Sequence, residues 1–179
     1  MTTHNPATTE TAFAIDTSSI KFGPGITREA GYELDRLGAS RVMVVTDPRM
    51  AGSAAVNAAT DSLKRAGIDY GVFDRVSIEP TDVSFKEAIE FAVDGGFDGF
   101  LPVGGGSSID TAKAANLYST HPADFLEYVN APIGKGTPVP GDLKPLVAVP
   151  TTAGTGSETT GVAIFDFEEL GAKTGIAHR

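Results

Sequence analysis

The chain has 179 residues, which is long enough for one globular domain with a substantial core and short for two. Hydrophobic residues make up 41% and charged residues 21%, and no apolar run approaches the length of a membrane-spanning helix. The net charge of −9, without a cluster of lysines and arginines, argues against a nucleic-acid-binding surface, and the absence of cysteine excludes disulfides, thiolate metal sites and cysteine nucleophiles.

The start of the chain combines five threonines in its first eleven residues with no basic segment and no long apolar stretch. We therefore predict a flexible tail over residues 1–12 and no secretory signal, which makes the cytoplasm the expected location. Residues 13–179 are predicted to form one α/β domain. Its first part, 12–22, is predicted to be extended and to turn at Gly23-Pro24-Gly25.

Beyond that turn, apolar runs alternate with helical patterns. Thr27 is predicted to cap a helix that ends at Gly38, and a second helix is predicted to end at Gly67. A capping box of Ser84 and Glu87 predicts the start of a third helix, and Ser107 is placed at the start of a fourth. The predicted strands are 41–47, 68–73, 97–103 and 146–149.

Strands separated by helices of this length indicate parallel βαβ units. The predicted fold is therefore α/β, a Rossmann-like parallel sheet with flanking helices. Residues 121–145 contain five of the eleven prolines and are predicted to form a long ordered loop rather than another βα unit.

The first chemical signal is the glycine loop, Gly104–Ser107, in a segment that reads Gly-Gly-Gly-Ser-Ser-Ile-Asp-Thr-Ala-Lys over 104–113. A helix that begins after a strand presents free N–H groups and a partial positive charge, and glycines allow a phosphate to approach them. The segment is neither the G-x-G-x-x-G fingerprint nor a P-loop. The alternative is a tight strand-to-helix turn in which Ser107 caps the helix and Asp110 helps it.

The second signal is the threonine loop, Pro150–Gly161, which begins Pro-Thr-Thr-Ala-Gly-Thr-Gly-Ser-Glu and follows the fourth predicted strand. Open α/β sheets bind their ligands at the carboxyl ends of strands, so two such loops in one domain favour a nucleotide site. A solvated turn rich in threonine is the alternative.

Asp47 closes the first predicted strand, where a carboxylate can accept hydrogen bonds from a ribose diol and repel a 2′-phosphate. It could equally be an Asp that begins a turn before Pro48. His4, His121 and His178 share no metal-ligand spacing and are interpreted as structural or solvated. The residues alone thus indicate a nucleotide-binding domain without a visible metal site.

The two loops, in this order, resemble those of the iron-containing alcohol dehydrogenase family, and Phe22-Gly23-Pro24-Gly25 and Thr46-Asp47 agree with it. Four further segments resemble the hydroxyacid–oxoacid transhydrogenase branch of that family: 79–82, 85–92, 131–136 and 158–166. The likeness runs from about residue 13 to Arg179.

The resemblance implies the N-terminal domain of a dehydroquinate-synthase-like, iron-dependent alcohol dehydrogenase fold. It also implies a C-terminal helical domain that binds a divalent metal, iron or zinc, through one Asp and three His. We expect that domain, its metal and the catalytic residues to lie outside this chain, and the chain alone to be inactive.

By the same resemblance, the cofactor is NAD rather than NADP. The resemblance implies that Asp47 binds the adenosine ribose and that Gly105, Gly106 and Ser107 bind the pyrophosphate. It implies that Asp110 orients the glycine loop or faces the nicotinamide. The residues implied for the nicotinamide side are Thr151, Thr152 and Thr155, and Lys173 is implied as a further contact. Lys173 could also be a solvated surface lysine. Relatives often carry Asn-Pro where this chain has Glu79-Pro80, which puts an adenosine contact there in doubt.

The implied reaction is hydride transfer, through the cofactor, between a hydroxyacid such as 4-hydroxybutyrate and an oxoacid such as 2-oxoglutarate. An alcohol dehydrogenase with exchangeable NAD and a non-catalytic nucleotide-binding module are the alternatives. The expected partners are a small-molecule hydroxyacid or alcohol and further copies of the chain in a homo-oligomer, with no nucleic acid and no membrane.

Overall fold

A computed structural model describes residues 18–178, and its centre is a four-stranded parallel sheet in the order β2-β1-β3-β4. The sheet strands are β1 (Arg41–Val45), β2 (Asp69–Phe73), β3 (Gly99–Gly104) and β4 (Val149–Pro150). The main helices are α1 (Ala30–Arg36), α2 (Ala54–Ala66), α3 (Asp82–Gly95) and α4 (Gly106–Thr120). The predicted α/β class with a parallel sheet is confirmed.

The core lies on both faces of this sheet, because consecutive side chains of a strand point to opposite faces. Val42 and Val44 pack on one face against α1 and α2. Met43 and Val45 pack on the other face, against α3 and α4. All four side chains are fully buried, which explains why β1 is a continuous β-branched and apolar run rather than an alternating one.

An antiparallel hairpin, which the sequence analysis did not predict, forms a second sheet from β5 (Val162–Phe167) and β6 (Ala172–Ala177). Between α4 and β4, residues 121–145 contain the short helix α5 (Phe125–Tyr128) and otherwise form a loop, as expected. Phe165 of β5 packs in a third core cluster with Phe85 of α3 and Leu117 of α4. The hairpin therefore covers the side of α3 and α4 that faces away from the parallel sheet.

Several predicted element ends are confirmed and others are wrong. Gly38 and Gly67 have left-handed φ values of 85° and 73° at the ends of α1 and α2, a conformation that glycine adopts without strain. Thr27 does not cap α1, because a 3-10 turn over Ile26–Glu29 precedes that helix. Residues 18–22 form no strand, and the rest of the predicted extended segment and the tail lie outside the described residues.

The capping box of α3 is shifted by three residues from the prediction. Thr81 is the N-cap residue, and its hydroxyl accepts a hydrogen bond from the Ser84 amide, while the Ser84 hydroxyl accepts one from the Thr81 amide. The helix therefore starts at Asp82 rather than after Ser84. Within residues 18–178, no helix is long and apolar enough to cross a bilayer.

The carboxylate of Asp82, at the start of α3, fastens the hairpin to this helix. Its Oδ1 accepts a hydrogen bond from the Glu168 amide at 3.1 Å, and its Oδ2 lies 2.7 Å from the Lys86 ammonium. Burial opposes the charge of Asp82, but these two partners together hold its pKa below the ordinary 3.8. The ionised carboxylate therefore stabilises the folded chain.

We predict that Asp82→Asn lowers the free energy of unfolding by about 1 kcal/mol at pH 7. A carboxyl with a depressed pKa in the folded state stabilises above its unfolded pKa, and this contribution is lost as the pH falls through the folded pKa. The difference in free energy of unfolding between the variant and the wild type should thus be largest at pH 7 and should shrink below pH 3.8. Urea unfolding at pH 7 and at pH 3 measures it. Asp94→Asn, an exposed change on the same helix, is the control, and equal behaviour of both variants would contradict the prediction.

Candidate functional site

Three strands of the parallel sheet end at the same edge, and the segments that follow them meet there. Thr46, just after β1, donates its hydroxyl hydrogen to the Val103 carbonyl of β3 at 2.8 Å. Thr151, just after β4, donates its backbone N–H to the Gly104 carbonyl at 2.9 Å. These bonds join Asp47, the glycine loop and the threonine loop at one edge of the sheet.

The glycine loop forms the start of α4. Gly105 is the N-cap residue in an extended conformation (φ −80°, ψ −169°), α4 begins at Gly106, and no side chain of the described residues caps it. The first amides of a helix have no partner within the helix, and the helix dipole adds a partial positive charge there. This end of α4 is therefore suited to an anionic group. The predicted cap by Ser107 is wrong, because its hydroxyl instead donates to the Ile78 carbonyl.

The glycine and threonine loops are in contact, which is the strongest geometric feature of the site. A Cβ on Gly105 would lie 3.1 Å from Oγ1 of Thr152. A Cβ on Gly106 would lie 3.1 Å from Oγ of Ser157 and 3.2 Å from Cβ of Thr155. Such distances are tighter than ordinary van der Waals contact, so side chains at either glycine would push the loops apart. Ser157 was not among the predicted residues, since a serine in a Thr- and Gly-rich loop carries no distinguishing signal.

Asp47 has the turn role that the sequence left open as the alternative. Its Oδ1 accepts hydrogen bonds from the amides of Arg49 at 2.9 Å and Met50 at 3.2 Å, which is how an Asp stabilises a turn. Its Oδ2 lies 4.0 Å from the position of a Cβ on Gly104. The half-buried carboxylate thus has one oxygen in the turn and the other beside the glycine loop.

Asp110 lies one turn into α4, buried behind the glycine loop. Its Oδ2 accepts a hydrogen bond from the Ile164 amide of β5 at 3.1 Å, and its Oδ1 lies 3.7 Å from the Lys113 ammonium. Burial raises the pKa of Asp110 above its ordinary value, and burial lowers the pKa of Lys113. Asp110 therefore contacts the hairpin in this structure rather than the open space between the loops.

The remaining predicted residues differ in their positions. The side chains of Thr151, Thr152 and Thr155 are exposed on the threonine loop. Lys173 lies on β6, 61% exposed, and forms a salt bridge of 3.0 Å with Asp166 on the paired strand. The structure therefore groups Lys173 with the hairpin and not with the two loops.

The His, Asp and Glu side chains of residues 18–178 do not form a metal centre. Within residues 18–178, no three His, Asp or Glu side chains lie close enough together to hold a metal ion. His121 follows α4 directly, and its Nε2 lies 3.0 Å from the backbone carbonyl oxygen of Asp142.

A groove of about 900 Å³ runs along the free edge of β4. Apolar side chains of the β4 region and of α4 contribute to its walls, and residues 158–163 reach it from the end of the threonine loop. The glycine loop is not part of its lining. The groove is therefore separate from the space between the two loops.

Comparison with known proteins gives one consistent family. The family model described as iron-containing alcohol dehydrogenase matches residues 17–179. The mitochondrial hydroxyacid-oxoacid transhydrogenases of Bos taurus and Homo sapiens are 60% and 56% identical over 173 residues, which is 96% of this chain. The chain spans 37% of the length of each of these relatives.

Solved structures agree with the sequence comparison. A 1,3-propanediol oxidoreductase has a TM-score of 0.82 at 29% identity, covering 93% of this chain and 43% of that one. An NADH-dependent butanol dehydrogenase A from Thermotoga maritima has a TM-score of 0.83 at 26% identity, covering 93% and 41%. The expected cytoplasmic location is wrong, because the similar transhydrogenases are named as mitochondrial and point to that organelle.

We predict that Gly106→Ala weakens NAD binding about tenfold, because the added methyl group would press on Thr155 and Ser157 and push the threonine loop away from the start of α4. Isothermal titration with NAD measures the change. Gly52→Ala is the matched control, since a Cβ there meets nothing within 4 Å. Normal NAD binding by a folded Gly106→Ala variant would place the pyrophosphate elsewhere.

Proposed function

We propose, because this chain belongs to the iron-containing alcohol dehydrogenase family, that it supplies the dinucleotide-binding part of an oxidoreductase that transfers hydride between a hydroxyacid and an oxoacid. The observation that carries this proposal is the contact between the glycine and threonine loops at the carboxyl edge of the parallel sheet. In open α/β sheets, that edge is where nucleotides bind.

The start of α4 is the proposed pyrophosphate site. The uncapped amides of Gly106 and Ser107 would donate hydrogen bonds to phosphate oxygens, and the helix dipole would favour their negative charge. Gly105 and Gly106 have no side chain between those amides and the ligand, and the hydroxyls of Thr152 and Ser157 lie opposite these two glycines. These features support a bound phosphate in a way that a plain strand-to-helix turn does not require.

The two ends of the cofactor would then lie on either side of the glycine loop. Asp47, with one oxygen beside Gly104, would accept hydrogen bonds from the adenosine ribose. Thr151, Thr152 and Thr155 would line the nicotinamide ribose and phosphate. NAD, when bound, supplies the carbon that accepts or releases hydride. The described residues do not fit a metal centre, so the role proposed for them is to bind and orient this cofactor.

The proposal of a transhydrogenase, and with it the pairing of a hydroxyacid with an oxoacid, rests on the names of the similar proteins. The experiment is carried out on the complete oxidoreductase of which this chain is proposed to be the dinucleotide-binding part, with 4-hydroxybutyrate deuterated at C4, 2-oxoglutarate and a trace of NAD. Deuterium in the 2-hydroxyglutarate formed supports the transhydrogenase. Accumulation of free NADH with 4-hydroxybutyrate alone would instead support the second candidate, an alcohol dehydrogenase with exchangeable cofactor, which the similarity to an NADH-dependent butanol dehydrogenase favours.

We predict that the chain binds NAD at least about tenfold more tightly than NADP, because the Asp47 carboxylate would repel a 2′-phosphate. Asp47→Ser should bring the two affinities to within about threefold of each other. Parallel titrations with both cofactors measure the ratio. Asp69→Ser removes one negative charge at the opposite end of the sheet and should leave the ratio unchanged. Equal binding of NAD and NADP by the wild type would refute the role of Asp47.

A further inference from the structure

The threonine loop is fastened at both of its ends to the elements that carry the glycine loop. At its start, the Thr151 amide donates to the Gly104 carbonyl of β3 at 2.9 Å. At its end, the carbonyls of Thr160 and Val162 each accept a hydrogen bond of 2.8 Å from the ammonium of Lys113 in α4. Residues 151–155 between these points are exposed, whereas Ser157 is buried, so the two attachments contribute to where the loop lies.

Lys113 makes this second attachment through its ammonium group. An ammonium group has three N–H donors, and two of them point to the loop carbonyls. The third side of the group faces Asp110, whose Oδ1 is 3.7 Å away and has no hydrogen-bond partner among the described residues. Both side chains are largely buried, at 19% and 10% exposure, so water screens their interaction only weakly.

Asp110 attaches the next part of the same segment to α4, because it binds the Ile164 amide. Thr160 lies two residues before Val162, and Val162 and Ile164 are alternate residues of β5 that present backbone groups to the same edge. Lys113 binds the first two through their carbonyls, and Asp110 binds the third through its amide. Side chains of α4 thereby occupy an edge of the segment that another strand would otherwise pair with.

From this geometry we infer that Lys113 is a positioning residue, which holds the threonine loop against the glycine loop and so sets the affinity for the dinucleotide. The inference rests on the proposed function, because it concerns the same site. Lys113 acts through the loop: without it, Thr152 and Thr155 would have to be ordered when the cofactor binds, and that ordering would weaken binding.

The test compares Lys113→Met and Lys113→Arg in two measurements on the 179-residue chain. Hydrogen–deuterium exchange without cofactor reports how firmly residues 151–161 are held, and titration with NAD reports the affinity. Lys113→Met should speed exchange in that segment and weaken NAD binding, each by about tenfold. Lys113→Arg keeps a charged donor that can reach two carbonyls and should restore both to within about threefold of the wild type.

Lys64→Met is the matched control, because Lys64 forms the same i, i+3 pair with Asp61, at 3.1 Å, on the exposed surface of α2. It should change neither measurement. If Lys113→Met fails to fold because Asp110 is left as an unpaired buried charge, the double variant Asp110→Asn/Lys113→Met removes both charges and should show the same loss.

The results separate the inference from the proposed function. Failure of the wild type to bind NAD would sink the proposed function, while the exchange measurement would still decide whether Lys113 fastens the loop. Wild-type binding with unchanged affinity in Lys113→Met, or unchanged exchange of residues 151–161, would overturn the inference alone. Failure of arginine to restore what methionine removes would also overturn it, because the role then would be packing rather than donation to the carbonyls.

Discussion

Parallel pairing of β3 with β1 on one side and with β4 on the other is the constraint on which the site depends. Parallel strands bring their carboxyl ends to one edge, so three segments far apart in sequence emerge side by side. The strand register also fixes the level along the sheet at which each segment emerges, since Val45 is paired with Pro102 and Val103 with Val149. The sheet therefore brings the glycine and threonine loops side by side, and local attachments such as the hydrogen bonds of Lys113 keep them in contact.

The buried pair of Asp110 and Lys113 fixes the position of neighbouring backbone segments rather than adding to the stability of the fold. Ten of the fifteen residues of α4 are buried, so both ionised groups lie in poorly solvated surroundings. The pKa of each is shifted towards its neutral form, which means that burial disfavours each charge by more than its partners compensate. Buried pairs of this kind contribute little to folding free energy but permit few alternative arrangements. Here the arrangement they specify is that of β5 and the end of the threonine loop.

The parts of the fold that the sequence predicted are those encoded by local chemistry. The β-branched run of β1 and the glycines that end α1 and α2 each determine an element within a few residues. The start of α3 was misplaced because Ser84-x-x-Glu87 matches the usual capping box, whereas the structure has Ser84 in place of a Glu or Gln at the third helical position.

Other features could not be predicted because their partners carry no sequence signal. Lys113 binds two backbone carbonyls almost fifty residues away, and any residue type could supply those carbonyls. The hairpin was missed although β5 alternates between buried Ala163 and Phe165 and exposed Ile164, because the four residues that turn it contain a single glycine, Gly171. The two loops were predicted to form a site from their composition, but only the fold shows which of their residues touch.

The two walls of the candidate site differ in stiffness, and this difference implies an order of events. One wall is the start of a helix enclosed by the core, whereas the other is an exposed loop with two glycines, Gly154 and Gly156, at φ values of 101° and 70°. On the proposed function, an arriving dinucleotide would meet the start of α4 already in place, so the encounter would begin with its pyrophosphate. The nicotinamide end would then be captured as the threonine loop adjusts, which would make recognition of the adenosine diphosphate the early step and alignment of the reactive ring the late one.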